Sequence, residues 1–332
     1  MTSSPAHWQT RGLLAVLLLP VAAPFATMAA LRRLAYGCKL LRSERVGVPV
    51  IVVGNITAGG TGKTPLTLWL AQFLRDHHKH PAIISRGYGA IRTDPRLVPV
   101  DGDATDYGDE PSLLARRAGC PVWVGTDRAA TARALLAAHP ATDVILSDDG
   151  LQHYRLARDF EIAVIDGERG LGNGWPLPAG PLREPASRLD AVDAVVVNGN
   201  NAEYTFPQAI TMRLEGGEFR NLRNPGLAVT AVHFRNRRVH AVAGIGNPQR
   251  FFAHLQRLGV ECIAHPFPDH HAFVAADLQF ADADDVVMTE KDAVKCTAFA
   301  TENHWALVVN AAIDTRLGDM ILARLAQATR HG

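Results

Sequence analysis

Residues 48–70, VPVIVVGNITAGGTGKTPLTLWL, constrain this chain more than any other stretch. Val48 to Val53 is rich in β-branched residues, the pattern of a strand buried on both faces. A glycine-rich turn, Thr57-Ala58-Gly59-Gly60-Thr61-Gly62, runs into Lys63-Thr64, and Leu66, Leu68, Leu70 and Phe73 carry an apolar helical pattern behind it. Strand, loop, Gly-Lys-Thr and helix form a phosphate cradle. Backbone N–H groups and the helix N-terminus hold phosphate oxygens, the Lys reaches the β- and γ-phosphates, and the Thr hydroxyl meets Mg²⁺. The usual pattern opens with Gly, and this chain has Thr57 in that place. A Gly-Lys-Thr tripeptide alone marks many ordinary turns. The buried strand before it and the helix after it make this one a nucleotide site.

At 332 residues the chain has room for two domains, or for one large α/β domain with additions. A hydrophobic fraction of 47% supplies a sizeable core and excludes global disorder. A net charge of +1 gives no electrostatic case for nucleic acid as a partner. The cysteines, Cys38, Cys120, Cys262 and Cys296, are scattered and form no CxxC pair. That argues against a zinc site and a disulfide framework, and it suits a reducing compartment.

Leu13–Leu31 runs for about 19 residues without a charge, close to the roughly 20 that a membrane span needs. Pro20 and Pro24 interrupt its helical hydrogen bonding. Arg11 precedes the stretch, while Arg32, Arg33, Lys39, Arg42 and Arg45 follow it. That flank places the bulk of the protein in the cytoplasm and opposes a cleaved signal peptide. Residues 1–45 are therefore expected to form a membrane-associated helix with a basic flank. Both a span and a helix lying in the interface remain open.

Further along, Pro81–Ser85 reads as a strand that ends in Arg86-Gly87-Tyr88-Gly89. Asp109-Glu110-Pro111 opens a helix that continues through Leu113 and Leu114. Carboxylates in a first helical turn ordinarily serve as dipole partners or caps. This pair follows a predicted strand, on the edge where open α/β sheets bind ligands, which gives it a catalytic alternative. Val122–Val124 reads as a strand and Thr126–Ala138 as a helix. Asp143–Gly150, DVILSDDG, is an apolar strand tipped by Asp148 and Asp149, in the position of the metal-binding carboxylate of a P-loop fold. Phe160–Asp166 is the next strand, and Ala191–Asn198 is expected to be the last of the first sheet. Thr211–Thr230, with Gly216-Gly217 and Asn224-Pro225-Gly226, reads as an irregular connection. A second α/β unit follows, with strands at Val239–Ile245, Cys262–Ala264, Asp285–Thr289 and Trp305–Asn310, and helices at Gln249–Leu258 and Thr315–Ala328. The fold class is α/β: a P-loop-containing, mostly parallel sheet flanked by helices, plus a smaller α/β domain and the N-terminal helix. The expected boundaries are 46–210, a linker over 211–230, and 231–332.

Asp148-Asp149-Gly150-Leu151-Gln152-His153-Tyr154-Arg155-Leu156, Gly172-Asn173-Gly174 and Leu177–Glu184 resemble the tetraacyldisaccharide 4'-kinase family. So do Val53–Pro65, Ser85–Gly89, Gly108–Pro111, Pro268–His271 and Met288–Lys295, in the family's order along nearly the whole chain. In that family a Thr at position 57 is ordinary. The resemblance implies ATP- and Mg²⁺-dependent transfer of the γ-phosphoryl group to the 4'-hydroxyl of a tetraacylated glucosamine disaccharide 1-phosphate. The work is done at the cytoplasmic face of the bacterial inner membrane, among its lipids, with no obligate protein partner evident. It implies a catalytic base at Asp109, partnered by His270 or the adjacent His271. Asp148 and Asp149 are assigned to Mg²⁺ and phosphate positioning, the choice of direct ligand between them staying open. Arg183 suits a γ-phosphate clamp, because a guanidinium holds phosphate oxygens bidentately. Glu184 and Thr64 complete the expected metal set, and residues 57–64 the nucleotide cradle. The rival reading is a membrane-anchored P-loop ATPase that acts on a protein partner, and the segments from Asp148 to Glu184 argue against it.

Overall fold

The structure is a computed structural model, and it describes residues 5–90, 92–199, 206, 208–280 and 284–328. Its strands, among those residues, are β1 (Val50–Gly54), β2 (Pro81–Ser85), β3 (Arg96–Leu97), β4 (Val122–Val124), β5 (Val144–Asp148), β6 (Phe160–Asp166) and β7 (Ala194–Asn198), followed by β8 (Ile210–Asn221), β9 (Ala228–Thr230), β10 (Val239–Ala243), β11 (Ile263–Pro266), β12 (Asp285–Thr289) and β13 (His304–Ile313). The helices are α1 (Leu13–Leu17), α2 (Leu19–Gly37), α3 (Lys63–Asp76), α4 (Ala104–Tyr107), α5 (Asp109–Arg117), α6 (Arg128–Ala138), α7 (Pro248–Arg257), α8 (Glu290–Cys296) and α9 (Arg316–Ala328). All the strands join one sheet in the order β11-β10-β12-β13-β8-β7-β6-β1-β5-β2-β4-β3, with β9 beside β8.

The alternation along β1 explains why its sequence is uniformly apolar. Ile51 and Val53 enter one core cluster, with Leu66, Leu70 and Leu74 of α3, while Val50 and Val52 enter another on the opposite face, with Ala129, Ala132 and Leu135 of α6. Helices therefore cover both faces of the first block, as a parallel sheet requires. β1 pairs in parallel with β5 on one side and β6 on the other. This is the point where strand order reverses, and the loop after β1 opens there into a crevice.

The stretch 211–230 is not irregular, which corrects the expectation. Ile210–Asn221 is a strand of 12 residues, and Ala228–Thr230 pairs with it. Gly216-Gly217 suggested a break, yet it lies where the pairing with β13 shifts register around Val308 and Asn310. A Cβ on Gly216 would run into the carbonyl oxygen of Val308, so the glycine permits the irregularity without ending the strand. Nor is β7 the last strand of the first sheet, because Asn198 pairs onward with Met212 of β8.

β8 runs parallel to β7 and antiparallel to β13, so the two parallel blocks point in opposite directions. β7 ends at Asn198, abreast of Met212, whereas β12 ends at Thr289, abreast of Leu307 and through it Phe219. The C-terminal edges of both blocks consequently face each other across the middle of β8. A rise of about 3.4 Å per residue makes that gap about 20 Å.

At the N-terminus, the uncharged stretch breaks at Leu18 into α1 and α2. Pro20 has no N–H to donate to Val16, and its ring crowds that carbonyl. Among the described residues, no helix is long and apolar enough to cross a membrane. Leu13, Leu17, Val21, Met28, Leu31 and Leu34 of these helices are exposed. At the other terminus, α9 packs Leu317, Ile321 and Leu325 into the same cluster as Leu70 and Leu74 of α3.

Candidate active site

Two glycines of the turn after β1 are demanded by the backbone. Gly59 and Gly62 have φ of +99° and +94°, in the left-handed region that side chains disfavour. Thr57 forms a β-bridge with Leu182, and Ala58 N–H donates to the Pro181 carbonyl at 2.8 Å. Position 57 is thus extended backbone, and a Thr serves there as well as a Gly. Asn198, at the tip of β7, donates from Nδ2 to the Thr61 carbonyl at 3.1 Å. A Cβ on Gly62 would approach that same Nδ2 at 2.5 Å. Lys63 opens α3, and no side chain caps the helix N-terminus. Gly60, Thr61, Gly62, Lys63 and Thr64 line a large cleft.

The two carboxylates at the tip of β5 have different environments. Asp148 is fully buried, accepting from Thr67 Oγ1 at 3.2 Å and Ser85 Oγ at 3.5 Å. Burial, with the charges of Glu110 and Asp149 nearby, pushes its carboxyl up to about 7. Asp149 has φ +48° and lines the cleft. Its carboxylate lies 3.5 Å from Lys63 Nζ and 3.4 Å from Arg183 Nη1. Burial opposes its ionisation, but Lys63 and Arg183 prevail and bring it down to about 2. Glu184 also lines the cleft, with Tyr154 Oη donating to its Oε1 at 2.7 Å and Arg188 Nε 3.3 Å from its Oε2. Arg128, a buried guanidinium, donates to the Asp148 carbonyl at 3.1 Å and the Gly125 carbonyl at 2.9 Å.

Gly108, φ +91°, turns the chain into α5, because a Cβ there would meet the Tyr88 carbonyl oxygen at 2.6 Å. Asp109 and Glu110 then face α8 and the loop after β11. His270 Nδ1 lies 3.0 Å from Asp109 Oδ2, and Lys295 Nζ lies 3.8 Å from the same oxygen. His271 turns elsewhere, its Nε2 3.0 Å from Asp277 Oδ2. Of the two adjacent histidines, it is His270 that meets Asp109. Burial raises the Asp109 carboxyl, but the His270 hydrogen bond and the charges of Lys295 and Lys291 outweigh it and leave the group below the usual range. Lys291 Nζ is 3.1 Å from Glu110 Oε1 and 3.6 Å from Asp269 Oδ1. Against burial, Glu110, Asp269 and Asp109 push that ammonium up to about 12.

Lys63, Glu110, Asp149, Arg183, His270 and Lys291 line one cleft of about 1530 Å³. Pockets for drug-sized ligands run to about 300–1,000 Å³, so this cleft has room for a nucleotide and part of a second substrate. Lys63, Asp149, Arg183 and Glu110 reach it from elements of the first block, and His270 and Lys291 from elements of the second. The structure therefore brings together the cradle, Asp149, Arg183, Glu110 and His270 at one cleft, with Asp109 held on His270 and Asp148 behind the wall. Sequence reading missed Asn198, Arg250 and Lys291. Arg250 of α7 donates to Asn198 Oδ1 at 3.1 Å and pairs with Asp166 at 3.6 Å, tying the second block to the turn after β1. The usable signal was positional: Asn198 and Asp166 end parallel strands, and Lys291 opens a helix directly behind one.

Residues 14–326 match the family described as tetraacyldisaccharide-1-P 4'-kinase. The chain is 53% identical over 335 aligned positions to the tetraacyldisaccharide 4'-kinase of Azoarcus sp. (strain BH72), covering 100% of this chain and 97% of that one. It is 52% identical to the Aromatoleum aromaticum protein of that name, covering 97% of each. It also resembles the crystal structure of Aquifex aeolicus LpxK in complex with ATP, with a TM-score of 0.80, 28% identity, and coverage of 94% of this chain and 100% of that one.

Proposed function

The chain belongs to the tetraacyldisaccharide-1-P 4'-kinase family, ATP-dependent phosphotransferases of lipid A biosynthesis, and on that premise we propose how its residues divide the work. The substrates are ATP and the acylated glucosamine disaccharide 1-phosphate whose 4'-hydroxyl is phosphorylated. The backbone N–H groups of 58–64 and Lys63 hold the phosphates, with the uncapped N-terminus of α3 aimed at their charge. Arg183, beside Asp149 at the cleft wall, clamps the γ-phosphate oxygens. The Asp109–His270 pair accepts the proton of the attacking hydroxyl, which is too weak a nucleophile while it keeps that proton.

Mg²⁺ fits the residues present. Asp149 and the Thr64 hydroxyl are hard oxygen donors at the cleft, whereas the described residues contain no group of three His, Cys, Asp or Glu side chains that would cage a metal. Mg²⁺ characteristically takes one or two carboxylates and completes its shell with phosphate and water. Asp149 and Thr64 would hold the ion. Asp148 supports that wall from behind, and Glu184, fixed by Tyr154 and Arg188, orients its surroundings. When bound, the ion supplies charge neutralisation on the β- and γ-phosphates.

The same reading assigns 46–210 to the kinase unit and 231–332 to the smaller unit, with 211–230 shared between them. It places the enzyme against the cytoplasmic face of the bacterial inner membrane, its lipids receiving the exposed leucines of α1 and α2 while Arg32 and Arg33 face anionic headgroups.

One observation carries this proposal: the phosphate cradle lines the same cleft as His270, which Asp109 holds from behind. The test uses protein in detergent micelles with γ-labelled ATP, Mg²⁺ and tetraacyl disaccharide 1-phosphate, and Asp109→Ala alongside. Label in the lipid for the wild type only is the expected result. ATP turnover without labelled lipid would overturn it.

A further inference from the structure

Lys291 stands out among the groups that this division of labour does not use. Its side chain is only 18% exposed, and its ammonium has three neighbours at the cleft: Glu110 Oε1 at 3.1 Å, His270 Nε2 at 3.5 Å and Asp269 Oδ1 at 3.6 Å. An ammonium only donates hydrogen bonds. The ring nitrogen facing it must therefore be an acceptor, and a neutral imidazole with an accepting Nε2 carries its proton on Nδ1. Nδ1 is the atom that meets Asp109, at 3.0 Å.

We propose that Lys291 is a positioning residue for phosphoryl transfer, holding His270 in the tautomer that donates from Nδ1 to Asp109. The inference rests on the kinase reading above and concerns the readiness of its proton acceptor. Three carboxylates, Asp109, Glu110 and Asp269, surround the imidazole. Without a donor at Nε2 nothing fixes which ring nitrogen carries the hydrogen, and Asp109 loses an assured N–H partner. Lys291 also belongs to the set of charges, with Lys295, that keeps Asp109 ionised. Lys63 and Asp149 act on Glu110 with opposite sign, and the Tyr88 ring lies 5.3 Å from the His270 ring. Thr289 caps α8 by accepting from Asp292 N–H, which fixes the turn that carries Lys291.

A simpler role is a clasp between α8 and α5 through Glu110. The two roles separate by pH. Full-length wild type, Lys291→Met and Lys291→Arg are compared in the micellar transfer assay across pH. Lys291→Met is expected to lower kcat by about 10- to 100-fold, leave KM for ATP within about 2-fold, and move the acidic limb of kcat upward by about one pH unit. Lys291→Arg, which keeps the charge, is expected to return the limb to the wild-type position. A fall in melting temperature with the acidic limb unmoved would mean a clasp only, and would overturn the inference. So would a Lys291→Met enzyme with wild-type kcat. If Lys291→Met does not fold, the same readout comes from Lys291→Gln, which keeps a donor without the charge. No label in lipid with the wild type overturns the kinase reading and this inference together. Label with the wild type and an unmoved limb in Lys291→Met overturns the inference alone.

Discussion

His270 brings its Nδ1 to 3.0 Å from the Oδ2 of Asp109, a residue 161 positions earlier in the chain. The contact exists because β8 turns the second block around, so the loop after β11 and the start of α5 arrive at one cleft from opposite sides. His270 has φ +60°, a conformation in which His, Asn and Asp are several-fold enriched over other side chains. The neighbouring His271 is engaged by Asp277.

That arrangement separates the two histidines by experiment. His270→Ala is expected to lower kcat by about 10²- to 10³-fold, with ATP affinity little changed. His271→Ala should keep kcat within about 3-fold, since it touches neither Asp109 nor the nucleotide cradle. Steady-state kinetics on both variants decides the matter. Unchanged turnover in His270→Ala would rule out the proposed proton acceptor.

The turn after β1 gives a second prediction. Gly62→Ala places a Cβ 2.5 Å from Asn198 Nδ2 at a φ of +94°. The left-handed conformation alone costs about 1–2 kcal/mol, and the Asn198 hydrogen bond to Thr61 must also give way. Calorimetric titration with ATP should show affinity reduced by at least about 10-fold, with the far-UV spectrum preserved. Wild-type affinity would mean that this glycine is not needed for the cradle.

Acid stability tests the charge environment of Asp109. Its folded-state carboxyl is held below the ordinary 3.8, so the stabilisation it gives is fully present above that pH and lost as pH falls through the lowered value. Asp109→Asn has no carboxylate to protonate. The melting-temperature gap between wild type and variant should therefore be widest near neutral pH and close below 3.8. An equal gap at both ends would contradict the lowered value.

Leu13 and Leu17 are exposed on α1. Burying a leucine side chain is worth about 1.5–3 kcal/mol, so two glutamates in their place should remove most of the attraction to a bilayer. Flotation with anionic vesicles is expected to carry the wild type and leave Leu13→Glu/Leu17→Glu behind. Equal flotation would place the docking surface elsewhere.

Much of the first block was legible because its strands are buried on both faces. Pro81–Ser85, Val122–Val124 and Phe160–Asp166 have the bounds that their apolar runs suggested. β8 was not legible. Met212 and Phe219 are buried, but exposed and half-buried residues lie between them, and Gly216-Gly217 reads as a breaker unless its partner strand is known. The site divides in the same way. Lys63 and the Asp148-Asp149 pair announce themselves through local spacing. Lys291 does not, because its meaning depends on Glu110 and His270, which only the tertiary fold brings to it.

Met212 is paired on one side with Asn198 of β7 and on the other with Ile313 of β13. Three residues later in the chain than Ile313, α9 begins, and it returns Leu317, Ile321 and Leu325 to the core beneath the helix that carries Lys63. Fully burying three such side chains is worth about 5–9 kcal/mol. That is comparable with the roughly 5–15 kcal/mol of net stability of an entire domain. A fragment ending after β7 would keep every residue of the nucleotide cradle and still lack both its next strand and the helix that seals its core. A cut before β8, or a deletion of α9, therefore reaches the core that backs the nucleotide cradle although every cradle residue precedes both.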